Sequence, residues 1–345
     1  MTEAASRTRI ANILWQRRLS HALGPNALPL GNGLLTLSHV QKKASLRALH
    51  VHDGSEQWGL SFDTERIQSL FRTGRFVSCV GSKSLTVVDC TSRKVVRKKL
   101  AGKGRTYTGT GLAKKGFVVL VSETASGTLL EAYNAQSGGV AWETELSPGS
   151  SSSVHLAEAG GRLICLTQDK GTIRLVARDL ESGRECWQRS DIEGNLVGQW
   201  AAFNLLDVIV EKSGVWGIHA QDGQDRSLRF YGIEYQEALI VGQSFLTVSL
   251  VDNLIELSSF DTVSSELKGK VLMDVVRILD AHASEVLVEH TNGYPVLYAL
   301  PNLESVEFKG CEGLGRIHHV AWARDALYLM SEDCRTITAV DLRQV

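Results

Sequence analysis

The stretch LESGRECWQ, residues 180–188, turns sharply at Ser182-Gly183 and then presents one large aromatic, Trp187, four residues after the glycine. The arrangement recurs. In ALHVHDGSEQW, Trp58 stands eight residues after His50; in AYNAQSGGVAW, Trp142 stands eight after Asn134; in ARDLESGRECW, Trp187 stands eight after Asp179. Copies without the aromatic keep the frame, from Asp89 to Arg97, from His219 to Ser227 and from Asp261 to Gly269, and LYALPNLESVEF is a degenerate seventh. The equivalent positions 58, 97, 142, 187, 227 and 269 are separated by steps of 39, 45, 45, 40 and 42 residues.

Ahead of each copy lie two short apolar runs parted by a polar or glycine turn, as in RLICLTQDKGTIRLVARD and GFVVLVSETASGTLLEAYN. Runs of this length, rich in Val, Ile, Leu and Phe and bounded by turn residues, form strands. Two such strands, a third ending in the Asp or Asn, and a fourth carrying the aromatic make a four-stranded unit, and a repeat of about 40–45 residues is the period of a propeller blade. The sequence therefore predicts an all-β fold, a single closed β-propeller of eight four-stranded blades, with seven as the alternative. The blades fall near residues 27–62, 66–100, 106–146, 153–191, 196–231, 236–270, 275–309 and 314–345. The last has three strands of its own, and NILWQRRLS, with Trp15, resembles the fourth strands CWQRSD and AWETEL. Residues 13–19 are thus expected to complete the last blade, because an unpaired blade edge invites association with other chains. Residues 1–12 are expected to be a mobile tail and the propeller to span 13–345. Trp15, Trp58, Trp142 and Trp187 are read as structural, packing between neighbouring blades.

The spacing of Asp or Asn, Ser-Gly and Trp resembles the tryptophan-docking motif of the PQQ-like propeller repeats, the quinoprotein alcohol dehydrogenase-like family. The resemblance covers nearly the whole chain and fails in blades two, five, six and seven, where the aromatic is missing. No Trp-Asp dipeptide or Gly-His start is present, which disfavours a WD40-like repeat. Quinoprotein enzymes of this resemblance hold a quinone over a tryptophan floor with a calcium ion and a catalytic carboxylate. None of those groups can be assigned here, so the resemblance implies a non-catalytic member with no cofactor, no metal and no catalytic residue.

Composition agrees with a globular chain: 43% hydrophobic and 22% charged residues, with only 5 Pro, exclude a disordered or collagen-like protein. No window has the apolar length of a membrane span, and MTEAASRTRIANILWQRRLS lacks a signal-peptide core. Six cysteines, Cys79, Cys90, Cys165, Cys186, Cys311 and Cys334, are scattered with no CxxC pair, which reads as reduced thiols in a cytoplasmic protein rather than zinc ligands or disulfides. Asp53, Asp222 and Asp261 read as acids that hydrogen-bond their own turns. His50 and His52 share a strand face, but two ligands are too few for a metal. The glycine-rich AGKGRTYTGTG lacks the Gly-Lys-Ser/Thr ending of a phosphate loop and reads as a blade connection. SPGSSSSV, residues 147–154, reads as a surface connection.

Charge distribution carries the functional reading. Between residues 83 and 115 lie ten cations against the single acid Asp89, in a chain whose net charge is −1. Lys94, Arg97, Lys98, Lys99, Lys103, Arg105, Lys114 and Lys115 form the candidate interaction patch on blades two and three. Such a field steers an acidic protein or a nucleic acid, while lysines on an edge strand also block sheet-to-sheet association. The expected function is a non-catalytic protein-protein interaction scaffold inside a larger assembly, binding other protein subunits. A quinone- or small-ligand-binding propeller that uses the central channel, and a nucleic-acid-contacting subunit, are the alternatives. A melting shift on adding quinone and calcium would mark the first, since a ligand of the folded state alone must stabilise it.

Overall fold

A computed structural model describes residues 9–19, 23, 27–31, 33–146, 154–202, 204–211, 214–229, 235, 237–252, 254–273, 275–282, 284–290, 293–309, 314–323 and 326–343. Among them all regular structure is strand, thirty-two in number, in eight four-stranded antiparallel blades, and the fold is an eight-bladed β-propeller. The blades occupy residues 28–63, 67–100, 106–145, 154–193, 196–229, 237–273, 275–309 and 317–341, the last completed by Arg9–Arg18. The serine run before Val154, Cys311 and residues 1–8 of the expected tail lie outside the described residues.

The N-terminal strand does more than the sequence suggests. Its later part pairs antiparallel with Thr336–Asp341, from Asn12 opposite Asp341 to Arg18 opposite Thr336. Its first residues, Arg9–Asn12, pair in parallel with Val306–Lys309 of blade seven, so blades seven and eight form one eight-stranded sheet. The strand thus starts at Arg9 and not at residue 13, and residues 9–12 are paired backbone. Ala11 is buried beside Val306 and Val340, and Trp15 is buried beside Tyr328 and Met330.

The chain separates into two compact units, one of His39–Leu46 and Gly59–Glu234, the other of Met1–Ser38, Arg47–Trp58 and Tyr235–Val345. In each, the middle strands of a blade are buried on both faces. Gly127–Asn134 in blade three is buried from Thr128 to Tyr133 and Leu254–Asp261 in blade six from Glu256 to Phe260, polar residues included. Fourth strands are more open: Glu56–Asp63 alternates between exposed and half-buried residues from Gln57 onward, because one face meets solvent. Hairpins are tight. Lys115 and Gly116, with φ of +46° and +83°, join two strands of blade three as a two-residue turn whose twist matches that of the strands.

The repeated turn is held by its acid. Asp179 Oδ1 accepts the Ser182 N–H at 2.9 Å and its hydroxyl at 2.7 Å, and the Gly183 N–H closes on the Asp179 carbonyl at 2.8 Å. Asn134 and Asp261 hold theirs in the same way. Asp53 and Asp222 likewise accept from Ser55 and Gln224 in their own turns. Hydrogen bonds from Ser182 keep the Asp179 carboxyl below the usual carboxylate range.

After the turn, a bulge sets where the aromatic points. Ala177 pairs with Trp187 and Arg178 with Glu185, so Cys186 is an extra residue that turns the strand. The same shift places Trp142 opposite Ala132, Arg97 opposite Val87, Ser227 opposite Gly217 and Gly269 opposite Ser259. The eight-residue spacing therefore marks one structural position in five blades.

At that position the indole lies on the glycine of the next turn. The Trp142 ring covers Gly183, and the Trp187 ring covers Gly223. Nε1 of Trp142 donates to the Leu180 carbonyl at 3.0 Å, Nε1 of Trp187 to that of Ala220 at 2.8 Å, and Nε1 of Trp15 to that of Val51 at 2.7 Å. Trp58 is half-buried. Gly183 has φ of +71°, and a Cβ there would sit 2.5 Å from the Trp142 ring. Gly171 has φ of +82° with open space around it. Gly171→Ala is expected to cost about 1–2 kcal/mol for its left-handed backbone, and Gly183→Ala that amount plus about 1–3 kcal/mol for overpacking. Equal losses in urea unfolding would show that the ring moves aside freely.

Candidate interaction surface on blades two and three

The fourth strand of blade two, Lys94–Leu100, is exposed at every residue but Lys99. Its apolar residues are as open as its cations: Val95 is 38% exposed, Val96 43% and Leu100 69%. The eight cations of the patch fall into distinct settings. Lys94 and Lys103 are exposed on the strand and the loop after it, and Lys115 on the hairpin of blade three; none makes an ion pair among the described residues. Lys98 donates to the Asp63 carbonyl at 2.9 Å, and Lys114 pairs with Glu158 at 3.2 Å. The Lys99 ammonium stands over the Tyr133 ring at 4.6 Å, and Arg105 turns inward.

Arg105 serves the interior of blade three. Its Nη1 donates to Glu131 at 3.1 Å and to Glu143 at 2.8 Å, and Nη2 donates to Glu143 at 3.2 Å. Glu131, 1% exposed, also accepts from Tyr133 and Ser122, each at 2.8 Å, and the Tyr133 hydroxyl lies 2.8 Å from that of Tyr107. Burial pushes the Tyr107 hydroxyl up to about 12 and that of Tyr133 higher still, while Arg105 holds the Glu143 carboxyl low. A buried carboxylate needs this many partners, because a charge left uncompensated in the interior is strongly destabilising. Arg105 and Lys99 are therefore tied to the blade, and the cations open to a partner are Lys94, Arg97, Lys98, Lys103 and Lys115.

Arg97 holds the register that Trp142 and Trp187 hold in the next two blades, and its aliphatic chain lies on Gly138 as those indoles lie on Gly183 and Gly223. Beside it opens a cleft of about 660 Å³ lined by Thr73, Arg75, Phe76, Lys115, Ala135 and Gln136, among others. Of these, Lys115 belongs to the patch expected from the sequence and the others do not. The one signal of the cleft in the sequence was the loss of the aromatic at position 97.

Other expectations fall where the residues fold. His52 lies in the turn after the strand that ends at His50, not on that strand; the two rings are 5.2 Å apart. Loop residues 101–105 and the strand Thr106–Lys114 account for the glycine-rich stretch. Cys79, Cys90, Cys165, Cys186 and Cys334 are free thiols, and burial raises Cys79 and Cys165 above the ordinary thiol range. Among the described residues no three His, Cys, Asp or Glu side chains stand together as metal ligands. No helix among them is long and apolar enough to cross a membrane.

Residues 42–229 match the sequence model of the family described as outer membrane protein assembly factor BamB. The chain belongs to that PQQ-like repeat family. Solved structures agree on the fold. BamB from Moraxella catarrhalis is 14% identical, with 96% of this chain and 100% of that one covered and a TM-score of 0.63. The computationally designed Ika8 protein is 8% identical, covers 96% and 98%, and has a TM-score of 0.65. Sqt1 of Saccharomyces cerevisiae is 10% identical, covers 97% and 98%, and has a TM-score of 0.63. At these identities the likeness is one of fold. No curated protein matches the chain in sequence.

Proposed function

We propose that this BamB-family chain is a non-catalytic, cytoplasmic scaffold that binds other protein subunits of a larger assembly through the edge of blade two. The observation that carries the reading is the strand Lys94–Leu100, which exposes cations and large apolar side chains together. Edge lysines alone would serve to keep sheets apart. Val95, Val96 and Leu100 work against that purpose and fit a surface that a partner covers. The family's description as an assembly factor supports the same reading, and the free thiols support a reducing compartment. The basic surplus suits an acidic protein face.

Changing Lys94, Lys98, Lys103 and Lys115 to Glu tests it. The fold should persist, since exposed substitutions usually shift stability by less than about 0.5 kcal/mol each. Partner capture from the native host should fall, chiefly through a slower association rate, and should mimic added salt. Undiminished capture of the same partners at the same affinity would reduce the strand to a guarded edge. A log-log salt slope that grows by about −0.9 per phosphate neutralised would instead point to nucleic acid.

A further inference from the structure

We infer that the cleft between blades two and three is a socket for an aromatic side chain carried on an acidic segment of a partner protein. The inference rests on the scaffold reading and names the chemistry of its partner. Its basis is the internal repeat of this fold. At the junction of blades three and four, Trp142 packs with Phe117, the first residue of the second strand of blade three, and with Leu180, the residue after the third strand of blade four. The counterparts one junction earlier are Phe76, which begins the second strand of blade two, and Ala135, which follows the third strand of blade three. Both line the cleft.

The residue that would supply the ring there is Arg97, whose side chain lies on Gly138 without lining the cleft. Two blades of this protein seat an indole at this position and bond its N–H to the carbonyl at Leu180 or Ala220, and at Trp142 the wall includes a phenylalanine as it does here. Phe76, half-buried, still presents surface to a ring from elsewhere, while Ala135 beside it is 1% exposed. Charge selects what comes with it. Arg75, 5.0 Å from the centre of the Phe76 ring, and the exposed Lys115 border the cleft, while Arg97 and Lys94 lie toward the edge strand. Arg75 is partly matched by Asp89 at 3.5 Å, and Lys115 makes no ion pair among the described residues. An aromatic residue flanked by carboxylates answers both features.

The test uses three short peptides on the full chain, Ac-Glu-Trp-Glu-NH2, Ac-Glu-Ala-Glu-NH2 and Ac-Lys-Trp-Lys-NH2, titrated by ligand-observed NMR. The first should bind, with the other two weaker by about tenfold or more, a ratio typical of losing one buried aromatic or reversing the charge. Arg97→Trp, which supplies the ring from within, should abolish binding of the first peptide while keeping or raising the melting temperature. Lys115→Glu, a change on an exposed hairpin, should weaken the first peptide several-fold and provides the answer even if Arg97→Trp does not fold. Equal binding of the Trp and Ala peptides, or full binding by a folded Arg97→Trp protein, overturns the socket. Peptide binding that persists in the Lys94, Lys98 and Lys103 to Glu protein, alongside unchanged partner capture, would leave the socket standing and the edge-strand reading refuted.

Discussion

Replacing Trp142 with alanine is expected to lower the unfolding free energy by about 3–5 kcal/mol, the range for truncating a large buried aromatic. The indole is 9% exposed and packs with Leu163, Cys165, Leu180 and Phe117, so its removal opens a cavity between two blades. It also takes away the N–H that serves the Leu180 carbonyl at 3.0 Å and the ring that covers Gly183. Trp142→Phe separates these effects, since it keeps most of the apolar area but loses the donor, which is worth about 1 kcal/mol net for an ordinary hydrogen bond. Trp187 takes the same pose but is half-buried, so its alanine variant should lose less. Equilibrium urea unfolding of the three variants checks the series. A loss below about 1 kcal/mol for Trp142→Ala would mean that the ring is not the wedge between blades three and four.

Deleting residues 1–19 is expected to have a larger effect, with a strong fall in melting temperature and conversion to aggregates. The strand Arg9–Arg18 supplies the fourth strand of blade eight and a parallel partner to blade seven. Without it, Thr336–Asp341 and Val306–Lys309 both lose a strand neighbour, and the row of unpaired amides and carbonyls is a template for pairing with other chains. The core around Tyr328 and Met330 also loses Trp15. Deleting residues 1–8, which precede the strand, should leave the melting temperature in place. Light scattering and thermal unfolding of both truncations decide the matter: a residue 20–345 chain that stays monomeric and melts like the full chain would refute the role given to the strand.

Much of this was legible because the blade repeats. A turn acid, a Ser-Gly and an aromatic at fixed spacing are local features, set by hydrogen bonds within four residues and by one left-handed backbone position. They survive in the sequence even when single copies lose the aromatic. The parallel pairing of Arg9–Asn12 with blade seven left no such mark, because it joins residues about 300 positions apart and parallel edge pairing needs no turn between them. The bulge that aims the aromatic was hidden as well, since one extra residue in a strand changes no residue type that a pattern could register.

The candidate surface divides along the same line. Ten cations within residues 83–115 and the vacancy of tryptophan at position 97 are properties of the sequence by itself, as are the all-β class, the eight-fold repeat and the N-terminal completion of the last blade. Which of those cations face outward was decided only by the tertiary structure. Alternation along a strand sends Lys98 to one side and Lys99 to the other, and a buried glutamate at position 131 draws Arg105 inward. The cleft at Phe76 and Ala135 is lined by residues of two blades that are far apart in the chain, so only the tertiary structure brings its walls together. Local sequence sets turns, strands and their repeat because those depend on neighbours in the chain; the fate of a charge or the opening of a cleft depends on what packs against it across blades.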